Sequence, residues 1–131
     1  MLFRPIRRGS LLNWEVTTEC SRFYLTSQQG LVLALLSVRP GALVTRDMLD
    51  QALWGDLEDG GPNDSVSALN VVVAKVRERL AAAAALWAIE THSGQGFRLT
   101  RIEHVRGNQR WTMIHKQAIR AAAASHAATS L

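Results

Sequence analysis

Ser65-Val66-Ser67-Ala68-Leu69-Asn70-Val71-Val72-Val73-Ala74-Lys75-Val76-Arg77-Glu78-Arg79-Leu80 is the stretch that decides the fold. Val66, Leu69, Val73, Val76 and Leu80 recur at steps of three and four, which puts one apolar stripe on one face of a helix. Ser67, Asn70, Ala74, Lys75, Arg77, Glu78 and Arg79 fall on the other faces. Asn63 or Asp64 can cap the helix, which is predicted to run to about Leu80. The Ala81–Ala85 run either lengthens it or forms a compact loop. Beyond it, Trp87–Thr91 and Phe97–Thr100 flank Ser93-Gly94-Gln95-Gly96, the pattern of two strands around a tight turn.

Upstream, Thr26-x-x-Gln29 is a capping box that opens a first helix. Leu31, Leu35 and Val38 supply its stripe, widened by Val32 and Leu36, and Pro40-Gly41 stops it. A second helix is expected from Thr45 to Trp54-Gly55, with Asp47 in its first turn, where the helix dipole favours an acid. Met48, Leu49, Ala52 and Leu53 make its inner face. The acidic, glycine-containing stretch Asp56–Asn63 reads as a loop. Leu2–Ile6, Leu12–Val16 and Arg22–Leu25 read as short strands. The expected class is therefore α+β: short N-terminal strands over 1–25, a winged helix-turn-helix over 26–100 with a three-helix core and a hairpin wing, and a basic, alanine-rich extension over 101–131. Within that extension, 108–124 is a candidate helix with Trp111, Ile114 and Ala118 on one face. It would dock on the domain or pair with a second copy.

Composition narrows the function. A chain of 131 residues with 47% hydrophobic residues can build one core. The single Cys20 excludes an internal disulfide and the usual cysteine-rich metal sites. The longest apolar run, Leu80–Ile89, is ten residues, far short of the roughly 20 that span a bilayer. A cytoplasmic, nucleoid-associated protein with no membrane partner is expected. Charge is unevenly spread. Residues 1–45 carry net +3, residues 46–74 net −5 and residues 75–131 net +6. Basic residues thus follow the third helix and what comes after it, and the acids gather in the middle.

A helix fits the major groove and a hairpin beside it reaches the backbone or minor groove. Cations at the rims of such a contact neutralise phosphates. The motifs also carry a family resemblance. Leu25-Thr26-Ser27-Gln28-Gln29 resembles the start of the first helix in OmpR/PhoB-type winged-helix domains. Arg39-Pro40-Gly41-Ala42-Leu43-Val44-Thr45 resembles their Pro-Gly turn, and Leu53-Trp54-Gly55 their Trp-Gly motif. Leu69–Leu80 is similar to their recognition helix, and Ile89–Leu99 to their wing. The resemblance implies a DNA-binding domain, and with only about 25 residues ahead of the first helix a stand-alone one without a receiver domain is expected. Several family positions differ. Gln29 replaces an acid, Asn70 and Val72 stand for Asp and His, Ala74 occupies an often basic position, and Ser93 replaces a wing arginine.

The reading is a sequence-specific regulator of transcription that binds double-stranded DNA. The candidate contact residues are Ser67, Asn70, Ala74, Lys75, Arg77, Thr91, His92 and Arg98. Asn70 and Lys75 can bond base edges; Ser67, Arg77, Thr91, His92 and Arg98 are candidates for the backbone. Of the helix cations, Arg79 is the one expected to be structural. Cofactor and metal sites are expected to be absent, and no nucleophile or acid–base constellation suggests an enzyme. The resemblance also implies that the acidic loop Asp56–Asp64 could touch RNA polymerase. The competing reading is a winged-helix interaction module, an adaptor for RNA polymerase, a sigma factor or another regulator. Val71, Val72 and Ala74 favour it, since they make the outer helix face less polar than DNA readout requires.

Overall fold

The structure, a computed structural model, describes residues 1–57 and 61–102. The candidate helix 108–124, and Glu58 and Asp59 of the acidic loop, lie outside the described residues. The elements are β1 (Leu2–Arg8), β2 (Leu11–Thr17), β3 (Arg22–Thr26), α1 (Ser27–Val38), β4 (Val44–Thr45), α2 (Arg46–Trp54), α3 (Ser65–Ala82), β5 (Trp87–His92) and β6 (Gly96–Arg101). They make an α+β winged helix: an antiparallel β1-β2-β3 sheet, three helices, and a second sheet in the order β4-β6-β5.

The N-terminal sheet turns one face inward. Phe3, Val16 and Phe23 lie opposite one another across it, as do Pro5, Trp14 and Leu25. Val16, Phe23 and Leu25 are buried and join the helices' core through Val32, Leu33, Leu36, Leu49, Leu69, Val73, Val76 and Leu80. Helix α1 comes so close to β2 that a side chain on Gly30 would collide with Trp14, 2.1 Å from Cδ1. At its start stands the expected capping box of Thr26 and Gln29, in which the Thr26 backbone N–H donates to Gln29 Oε1 at 3.2 Å.

The turn after α1 is fixed to the wing. Gly41, with φ +86°, donates its N–H to the Leu99 carbonyl at 2.7 Å. Val44 and Thr45 then pair with Phe97 and Gly96. The sequence gives no sign of this two-residue strand, which is too short to show a period of two. Thr45 ends the strand and caps α2, its Oγ1 accepting from Met48 N at 3.2 Å.

Two details of α3 differ from the apolar pattern. Val66 is 57% exposed, because it lies in the first turn, beyond the reach of the core. Val72 is buried, although the outward face was expected to include it. The alanine run lengthens α3 only to Ala82, then turns through Ala84 at φ 52°, and Ala85 N–H closes on the Leu80 carbonyl at 3.0 Å.

Candidate nucleic-acid interface

Helix α3 and the β5–β6 hairpin form one continuous surface, joined by Arg77. Its Nε donates to the Ile89 carbonyl at 3.1 Å, and its other end donates to Thr91 Oγ1. The guanidinium also lies 5.9 Å from the centre of the buried Phe97 ring. Burial lowers its pKa, yet an arginine stays charged at any physiological pH. Arg77 therefore straps helix to wing, and its charge is only partly offered outward. Arg79 is exposed and makes no ion pair among the described residues. Arg77, expected at the DNA backbone, thus makes its hydrogen bonds within the domain, whereas Arg79, expected to be structural, has no ion pair among the described residues. Side-chain spacing on α3 alone does not say on which side the wing returns.

Ala74 is 7% exposed and so is no surface contact, a correction to the candidate set. It lies one turn from both Asn70 and Arg77 on α3.

Arg46 was not among the candidates. It opens α2, stands with its guanidinium 4.9 Å from the Phe97 ring centre and donates from Nη1 to Asn70 Oδ1 at 3.1 Å. Its backbone N–H bonds the Gln95 carbonyl at 3.2 Å in the wing turn. Arg46 and Arg77 thus both approach the same aromatic ring, an arrangement favoured by the ring's negative face.

The remaining candidates are exposed or half-exposed, and several are already engaged. Ser67 donates its only hydroxyl proton to Asp64 Oδ2 at 2.7 Å, while its N–H bonds Asp64 Oδ1 at 3.1 Å. These two hydrogen bonds hold the Asp64 carboxyl below its ordinary pKa, so the helix start carries a firm negative charge. Lys75 Nζ lies 3.7 Å from Glu78 Oε2 on the exposed face, a contact of little strength in water. Arg98 is paired across the hairpin with Glu90 Oε2, from Nη2 at 2.7 Å and Nε at 2.8 Å. Burial pushes the Glu90 carboxyl up, but the Arg98 hydrogen bond and charge outweigh it and hold the group below its usual range. His92 Nε2 is 3.9 Å from the same carboxylate. Val71, 40% exposed, stands on the outward side of α3 with Ser67 and Lys75.

Among the described residues no three His, Cys, Asp or Glu side chains are grouped to hold a metal, and no helix is long and apolar enough to cross a membrane. None of the curated proteins compared with the chain matches it. The family described as "Transcriptional regulatory protein, C terminal" matches residues 21–99. That span runs from β3 through the wing and includes both the Arg77 strap and the Arg46–Asn70 contact. It is a family of DNA-binding regulatory domains rather than of enzymes. With more than half of its length matched, and the helices and wing in the family's order, this chain belongs to the OmpR/PhoB-type C-terminal DNA-binding domains of transcriptional regulators.

Proposed function

We propose that the chain recognises particular sequences in double-stranded DNA, with α3 in the major groove and the wing over 91–99 on the backbone or minor groove. The observation that carries this is the rigid joining of α3 to the hairpin by Arg77. It makes helix and wing a single surface able to follow a groove and its rim. Asn70 and Lys75 read base edges. Arg46, Thr91 and His92 lie beside the backbone, and Arg98 adds what charge its pairing with Glu90 leaves. The 101–131 extension, with its Arg106, Arg110, Lys116 and Arg120, adds to the phosphate footprint or supports a homodimer through 108–124.

The second reading, a protein-interaction module, draws support from the weak charge of the outer helix face. There Glu78 faces Lys75, Asp64 occupies the Ser67 hydroxyl, and Val71 is exposed. Exposed Leu57 and Asp56 after α2 would suit RNA polymerase or another protein surface.

Lys75→Ala tests the first reading. It is expected to weaken binding to a selected site by about 1–3 kcal/mol and to relax preference at one base pair, with an unchanged melting temperature. Arg77→Ala is expected to weaken binding to every duplex alike and also to lower the melting temperature, since the strap to Ile89 and Thr91 is lost. Duplex titrations beside thermal melts check both. Unaltered DNA affinity in both variants favours the interaction module.

A further inference from the structure

The Arg46–Asn70 contact determines which end of the asparagine amide faces outward. A guanidinium has only donors, so the atom 3.1 Å from Arg46 Nη1 must be the amide oxygen. Arg46 is itself held in place, by the Phe97 ring below its guanidinium and by its backbone bond to Gln95 in the wing turn. Asn70 is exposed on α3, and with its Oδ1 turned to Arg46 it offers the two N–H donors of Nδ2. An asparagine reading adenine uses both ends of its amide, accepting from N6 and donating to N7. Here the accepting end is occupied. A second donor approaching its remaining lone pair, such as the adenine amino group, would meet the guanidinium charge. Guanine presents only acceptors in the major groove, O6 and N7, and these suit both the Nδ2 donors and the neighbouring cation.

We propose that Arg46 is a positioning residue that makes Asn70 a donor-only reader, so that the base pair facing Asn70 is read as guanine rather than adenine. The proposal rests on the reading that α3 lies in the major groove. It is tested with the full chain and a pool of randomised duplexes, by sequencing the bound fraction. At one position wild type is expected to favour guanine over adenine by roughly tenfold, and Asn70→Ala flattens that position alone. Arg46→Met keeps an unbranched stem over Phe97 but removes the donors; it frees Oδ1 and moves the same position toward adenine. Arg46→Lys restores a donor and with it guanine. Melting curves of each variant accompany the selection.

Adenine in the wild-type motif at the Asn70-dependent position overturns the proposal even if Arg46→Met does not fold. A folded Arg46→Met that loses guanine without gaining adenine also overturns it, by making Arg46 the reader. So does an Asn70→Ala variant that flattens no position. A wild-type chain that enriches no sequence brings down the major-groove reading itself, which sets that failure apart from the others.

Discussion

Trp54→Ala is expected to lower the stability of the chain by about 3–5 kcal/mol. Trp54 is the last residue of α2 and only 6% exposed, within the core shared by all three helices. Nine residues of isolated helix do not hold together in water, so α2 depends on its packing, and Trp54 is the largest buried group it contributes. The chain leaving α2 also comes back over the indole: a side chain on Gly61 would lie 2.5 Å from Trp54 Cβ. Removing the ring leaves a cavity in that core. A domain of this size has only about 5–15 kcal/mol in total. Urea unfolding checks the expectation. A midpoint close to that of wild type would show that α2 does not rely on Trp54.

Gly96→Ala is expected to cost about 1–3 kcal/mol, the usual penalty for overpacking, and to weaken DNA binding by more than the stability loss explains. A Cβ at this position would lie 2.1 Å from the Val44 carbonyl oxygen and 2.8 Å from Thr45 Cα. Both are backbone atoms of the paired strand β4, so no side chain can swing aside. The strands must part, which loosens the wing and disturbs Thr45, the cap of α2, together with Arg46. The neighbouring Gly94 serves a different need: its φ of +73° suits glycine, and there is open space around its missing side chain. Thermal melts and duplex titrations of Gly96→Ala read both effects. Wild-type values in both would mean that β4 can separate from β6 without consequence.

The order of helices and wing was legible because each long element states its own period. The α3 stripe of Leu69, Val73, Val76 and Leu80 is buried as the spacing implies, and Ser93–Gly96 marks the hairpin tip. Trp54 was legible as core from its place at the end of an amphipathic helix. Interactions between distant elements were less so. Arg77 and Arg79 are both basic residues on one helix, and only the return of β5 along one flank of α3 gives Arg77 its strap. Arg46 lies 24 residues from Asn70, and nothing in the local pattern around Arg46 announces that contact. Gly96 read as a turn glycine because the strand that crowds it, Val44–Thr45, has too few residues to leave a signature.

Binding of the full chain to random-sequence duplex DNA over a range of salt concentrations tests the central claim most directly. Arg98 is paired with Glu90, and Arg77 is largely turned inward, so on the proposed reading the phosphates are left to Arg46, the exposed Arg79 and the basic residues of 101–131. With about two to four phosphates neutralised, log K is expected to fall against log salt with a slope of about −1.8 to −3.6. Binding that ignores salt, or no binding to duplex DNA at low salt, would contradict a role for this surface on DNA.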